Sequence, residues 1–200
     1  MKNVSARAYT SPLRKRQMDA TREAIVSTAF AMVESEPGGL LTHEAVAAKA
    51  EVAVRTVYRH FPSRAELIGA IWERLKERTG TEFPETEAEL LELAPRLYRS
   101  FDAHEALVRA FLSSGAGGEV RDRGSGEGRP ALERTLAQAA RHLDPERRAE
   151  VVAVFLALYS APAWQMMRDR GGISGEQAAR AVEWAMRALL DALRRERKKS

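Results

Sequence analysis

Residues 41–67, LTHEAVAAKAEVAVRTVYRHFPSRAEL, decide how the rest of the chain is read. Thr42 is a good N-cap ahead of an Ala-rich run that puts Val46, Ala47 and Ala50 on one face. This predicts a helix of about two turns over 42–50. Glu51, Val52 and Ala53 then break the pattern, and Val52 is the one large apolar residue placed to plug the gap between two helices. A second short helix is expected over 54–60, with Val57 and Phe61 four apart on its inner side. Arg55, Tyr58, Arg59 and His60 are left facing outward, a face with donors and an aromatic ring but no carboxylate. Pro62 forces Phe61 out of helical geometry, and Ser63 with Glu66 forms a capping box that starts a third helix. Two short helices, a tight turn and an immediate third helix read as a helix-turn-helix.

The segment TVYRHFPSRAEL at 56–67, behind that short helix and apolar-centred turn, resembles the recognition segment of TetR-family (tetracycline-repressor-like) transcriptional regulators. Tyr-x-x-Phe-Pro-Ser-Arg/Lys-x-x-Leu specifies many positions at fixed spacing. Two positions depart from the family pattern, which usually has Gly where this chain has Glu51 and often Ser or Thr where it has Ala53. A non-Gly residue in a left-handed turn costs on the order of 1 kcal/mol, and Ala at an N-cap forgoes a similar amount. The resemblance covers residues 20–70 closely; beyond them it rests on helix order and on the closing stretch 169–193, DRGGISGEQAARAVEWAMRALLDAL. It implies an all-α homodimer with an N-terminal DNA-binding domain and a C-terminal domain that binds a small molecule and dimerises. Carried over by position, Thr42 and His43 would meet phosphate. Arg55, Tyr58, Arg59 and His60 would enter or flank the major groove, and Arg64 would hold phosphate. Val54 would touch a thymine methyl or pack.

The whole chain is consistent with that expectation. Its 200 residues suffice for one small DNA-binding unit plus one helical body, and not for two large domains. The absence of Cys excludes disulfides, thiolate metal sites and thiol nucleophiles and fits an intracellular protein. The N-terminal stretch has no apolar h-region, and no later stretch reaches the roughly 18 uninterrupted apolar residues of a membrane span. The expected location is the cytoplasm, with no membrane partner. Net charge is +4, unevenly spread: residues 1–22 carry a net +5 and the tail from Arg194 a net +4, leaving the body acidic by five. A basic arm leading into the helix before the helix-turn-helix is placed to reach phosphates or a minor groove.

The expected organisation is a basic flexible arm at 1–17, the DNA-binding domain at 18–63, an effector-binding and dimerisation domain at 64–195 and a basic tail at 196–200. An amphipathic helix over 21–34 precedes the reading unit, stopped by Pro37, Gly38 and Gly39. After a helix over 63–78, helices are expected at 85–101, with a kink or break at Pro95, and at 103–113. Residues 114–130, SGAGGEVRDRGSGEGRP, read as a mobile loop, and a helix is expected over 131–142. Residues 146–168 are apolar on nearly every side and interrupted by Pro162, so they should be covered all round. A last helix over 177–193, rich in small side chains, follows the capping box of Ser174 and Gln177. These last two long helices are the candidate homodimer interface.

No catalytic constellation is legible: His43, His60, His104 and His142 are scattered, and no nucleophile or metal site has a recognisable spacing. No cofactor or metal is expected. The reading adopted is a ligand-responsive DNA-binding regulator, a repressor released from an inverted repeat by a small, largely apolar effector. The rivals are a helical interaction protein, or an activator without an effector. The candidate effector residues are His104, Phe111, Phe155, Tyr159, Trp164 and Met167, an aromatic and polarizable set on converging helices, with His104 and Tyr159 as polar contacts.

Overall fold

The computed structural model describes residues 12–36 and 39–197. Among these residues ten α-helices form and no strand. The first four build an N-terminal head: α1 (Pro12–Ser35), α2 (His43–Lys49), α3 (Val54–His60) and α4 (Arg64–Thr79). Thr42 caps α2 by accepting from the Ala45 amide at 3.1 Å, and Ser63 caps α4 by accepting from the Glu66 amide at 3.3 Å. Ala53, at the N-cap of α3, supplies no side-chain hydrogen bond, and Glu51 takes φ 53°, the left-handed conformation that the turn demands. Ile25, Ala29, Val46, Val57, Phe61 and Ile71 close the head core from all four helices.

The helix α1 begins at Pro12, so residues 12–17, read above as part of a flexible arm, are helical. Residues 1–11 of that arm, the helix stop at Pro37 and Gly38, and tail residues 198–200 lie outside the described residues. The rest of the expected tail, 196–197, continues the last helix.

The second body comprises α5 (Glu87–Ala103), α6 (Glu105–Ser113), α7 (Gly117–Leu136), α8 (Pro145–Leu158), α9 (Ala161–Asp169) and α10 (Gly175–Arg197). The helix α5 runs through Pro95 without the expected break. Antiparallel α10 lies along it, with ion pairs at both ends: Arg99 to Glu176 at 2.8 Å and Arg194 to Glu87 at 2.6 Å. Gly175 permits this approach, since a Cβ there would fall 2.0 Å from the Asp102 carboxyl carbon. Ala178, Val182, Met186 and Leu190 are buried in this core. Much of the small-residue side assigned above to a dimer seam is therefore spent inside one chain. Ala181, Ala185 and Leu189 are half-buried.

Two further expectations change. The apolar run 146–168 is interrupted and bent as expected, two helices at 59°, with Ser160 capping α9 and Pro162 in its first turn, where a missing N–H costs nothing. Within one chain it is not covered all round, for Ala153, Val154 and Ala157 are exposed. The glycine-rich stretch is no loop either: 117–136 form α7, whose Val120, Gly124 and Gly128 recur every four residues on a buried stripe. Its continuation into Ala131, Leu132, Thr135 and Leu136 is buried as well, and turns replace the end of the helix expected over 131–142. Among the described residues no single helix is long and apolar enough to cross a membrane.

Candidate nucleic-acid interface and internal cavity

Helix α3 presents Val54, Arg55, Tyr58 and Arg59 to solvent. Arg55 and Arg59 make no hydrogen bond or ion pair among the described residues, so both guanidiniums are available to an incoming anion or base edge. Tyr58 is held. Its ring stacks on His43 with centroids 4.4 Å apart and planes 6° from parallel, and its hydroxyl donates to Glu44 at 3.2 Å. The Glu44 charge pushes the phenol pKa up, while backbone and Tyr58 hydrogen bonds keep the Glu44 carboxyl below its ordinary value. Tyr58 is therefore a fixed platform rather than a swinging side chain.

Four of the eight expected contact residues stand differently. Thr42 spends its hydroxyl on capping α2. His43 is only 6% exposed and donates from Nε2 to the Phe61 carbonyl at 2.8 Å, so it braces α2 against the end of α3 from within. His60 turns inward too: its Nε2 is buried without a partner among the described residues, and burial, then Arg59 and Arg22, hold its pKa down. Arg22 of α1 lies over the Phe61 ring at 4.9 Å, closing that side. Arg64 at the head of α4 is the largest departure. Its guanidinium clasps the Glu119 carboxylate of α7 at 2.6 to 3.0 Å and also donates to the Leu41 carbonyl. This pairing raises the Arg64 pKa and lowers that of Glu119. Spacing marked the outward positions of α3, but not how α2 crosses it, so Glu44 and Glu119 carried no signal.

Behind the head lies a cavity of about 430 Å³, walled by α4 (Trp72, Leu75), Phe83, α5 (Leu97, Phe101), α6 (Val108, Phe111), α7 (Val120, Gly124) and α8 (Leu156, with Tyr159 beyond its end). Its polar groups are largely committed. Tyr159 donates to the Glu82 carbonyl at 2.7 Å, Thr79 donates to the Leu75 carbonyl at 2.7 Å, and Thr79 and Thr81 share a further 2.7 Å hydrogen bond. Burial drives the Tyr159 phenol pKa far up, so it stays neutral. The Trp72 indole N–H is buried and reaches no partner at hydrogen-bond distance, though it leans toward Glu127.

Of the six expected effector residues, Phe111 and Tyr159 line this cavity. The other four do not. Trp164 is fully buried in solid core, tilted against Phe101 at 6.0 Å and capped by the Arg109 guanidinium at 5.4 Å. Phe155 is buried in the same cluster, and Met167 packs on its edge. His104 closes α5, donating from Nδ1 to the Ser100 carbonyl at 2.9 Å. The break at Tyr159 and Ser160 bends α9 by 59° from the line of α8, so Ala161 and Pro162 reach the cavity while Trp164 and Met167 pack into the second core. Trp72, Phe83 and Phe101 take the places that they were expected to fill.

No curated protein matches the chain. Among solved structures, one similar to it is native NalD of Pseudomonas aeruginosa, the secondary repressor of the MexAB-OprM multidrug efflux pump. The two are 17% identical and align over 85% of this chain and 95% of that one with a TM-score of 0.55, a likeness of fold. Residues 25–71, from the middle of α1 through the reading helix to Ile71, match the model of bacterial regulatory proteins of the tetR family. That span contains the braced α2, the exposed arginines of α3 and the Ser63-capped turn into α4, so the N-terminal head of this chain is similar to the DNA-binding domain of tetR-family regulators.

Proposed function

We propose that the chain represses transcription as a homodimer on an inverted repeat of duplex DNA and is released by a small, largely apolar effector held in the cavity behind α4. The observation that carries this reading is the clasp of Arg64 by Glu119, because it ties the first turn of α4 in the head to the helix that walls the cavity. An occupant that moves α7 also moves Arg64, and through the Leu41 carbonyl the segment leading into α2. Such a switch requires the occupant to bind the two head arrangements unequally.

In the proposed dimer, two heads meet successive major grooves about 34 to 36 Å apart. Arg55 and Arg59 read bases, with Tyr58 and Val54 beside them. Thr42 and His43 contribute through the fixed position of α2, His60 braces α3 against α1, and Arg64 is shared between phosphate and Glu119. The partner copy covers the outer face of α8, α9 and α10, where Val154, Met166 (60% exposed) and Trp184 (73% exposed) stand without cover in one chain. The same reading places the protein in the cytoplasm and assigns residues 1–11 to nonspecific phosphate contact, through Lys2 and Arg7.

The test is selection of sites from a randomised duplex pool, followed by titration. Inverted repeats should emerge, and Arg55→Ala should lose about 1 to 3 kcal/mol of discrimination at one base position. Unchanged site preference after replacing Arg55, Tyr58 and Arg59 together sinks the assignment. A compound from a thermal-shift library that raises the melting temperature should also weaken DNA binding. Glu119→Gln should blunt that response while steepening the salt dependence of DNA binding by about one phosphate contact, since it frees Arg64.

A further inference from the structure

The cavity's polar inventory says what kind of molecule it suits. Its internal hydroxyls are engaged with one another or with backbone carbonyls, so a polar ligand body would find few free partners. Among the described residues the one carboxylate in the lining, Asp122, is exposed. A cation drawn into the interior would therefore stand unpaired in an apolar site, which desolvation opposes.

The opening has a different character. Arg121, Ser125 and Arg129 all line the cavity, all are exposed, and they stand at i, i+4 and i+8 on α7, next to its buried stripe. On an α-helix that spacing makes one row, with the outer two separated by about 12 Å along the axis. Arg129 makes no hydrogen bond or ion pair among the described residues, and Arg121 only a 3.3 Å contact to the Leu112 carbonyl. Two guanidiniums flanking a hydroxyl outweigh the single charge of Asp122 and offer planar donors suited to an oxyanion.

Resting on the reading of this cavity as the effector site, we propose that its ligand is an amphipathic monoanion, with an apolar body beneath α7 and a carboxylate, sulfonate or phosphate at the mouth between Arg121 and Arg129, across Ser125. A body of drug-like size fits the volume. The body can be aromatic or an alkyl chain; the anion at the mouth is the shared requirement.

Two matched probe pairs test this. Anilinonaphthalenesulfonate and phenylnaphthylamine share an apolar body and differ by the sulfonate; decanoate and decylammonium share a chain and differ in charge. By fluorescence titration the sulfonate should bind saturably and about tenfold more tightly than the neutral amine. The Arg121→Gln/Arg129→Gln double variant should erase that preference and leave phenylnaphthylamine affinity unchanged. Decanoate should displace the probe and decylammonium should not, and displacement by decanoate against the sulfonate's own affinity distinguishes an alkyl from an aromatic preference. Equal affinity for the two dyes, a preference that survives the double variant, or displacement by decylammonium as readily as by decanoate overturns the proposal. So does binding of both dyes undiminished by Gly124→Leu, which fills the cavity wall. Titration of a selected DNA site with and without the bound sulfonate separates the two claims. Arginine-dependent dye binding with unchanged DNA affinity leaves the ligand class standing and overturns the effector reading.

Discussion

Helix α3 presents one face to solvent and helix α7 one face to the cavity, yet they become helical for opposite reasons. The seven residues of α3 are held by side chains: Val57 and, just past the helix end, Phe61 fill the head core, His43 braces that end, and Tyr58 stacks on the brace. The twenty residues of α7 are held by what theirs lack. Gly124 lets the Trp72 ring lie where a Cβ would meet it at 2.9 Å, and Gly128 does the same for Phe83 at 2.8 Å. Gly117 faces the Phe111 carbonyl at 1.7 Å from where its Cβ would sit. Five glycines in one helix cost roughly 1 kcal/mol each in propensity, so tertiary packing, not local preference, keeps α7 helical. A recognition surface can thus be built from strong local signals, and a cavity wall from their deliberate absence.

The largest expected effect tests whether the second body is otherwise conventional. Trp164→Ala should cost about 3 to 5 kcal/mol in denaturant unfolding, since Trp164 is fully buried away from the cavity. A cost below about 1 kcal/mol would mean that empty space already lies beside it. The sharpest contrast lies within α7 itself. Gly124→Ala should destabilise by about 1 to 3 kcal/mol because the added Cβ would meet the buried Trp72 ring at 2.9 Å. Gly126→Ala, two residues on and with nothing within 4 Å of its Cβ, should stabilise by up to about 1 kcal/mol. If both substitutions shift the melting temperature the same way, the contrast drawn between the two helices fails. In the head, Glu51→Gly should recover up to about 1 kcal/mol by relieving the left-handed turn.

The smallest effect concerns pH. Burial, with Arg59 and Arg22 adding to it, keeps the folded His60 pKa below its ordinary 6.5. The unfolded chain therefore binds that proton at higher pH than the folded one. Its contribution is complete above the unfolded value and is lost as pH falls through 6.5 toward the folded value. His60→Phe should flatten the melting temperature against pH over about pH 8 to pH 5 relative to the parent chain. An unaltered slope would place His60 in solvent.

These contrasts also explain what was legible. The caps at Thr42 and Ser63, the inner pair Val57 and Phe61 and the outward arginines of α3 all act within a few residues of themselves, so spacing revealed them. His43 shares the apolar face of α2 with Val46 and Ala47, three and four residues on, so its burial follows from spacing, whereas His60 reads as outward and only the packing of α3 in the head buries its Nε2. In α7 the period-four stripe of Val120, Gly124 and Gly128 was present, but glycine carries no hydrophobic signal, and its propensity argued for a loop. Phe111 and Tyr159 were found as cavity residues because α6 and the end of α8 converge. Trp164 and Phe155 were misplaced because aromatic mass does not distinguish a wall from a filled core.

The glycine content of α7 has one more consequence, in the time domain. A helix with so little intrinsic propensity, docked mainly through neighbours that also line a cavity, is a natural unit of local unfolding. Its backbone amides should exchange with solvent deuterium well before those of α5 and α10, which are paired along their length and tied at both ends. A bound occupant that completes the packing of Gly124 and its neighbours would then be read out as protection spreading along α7 to Glu119. The wall would admit its guest by briefly ceasing to be a helix.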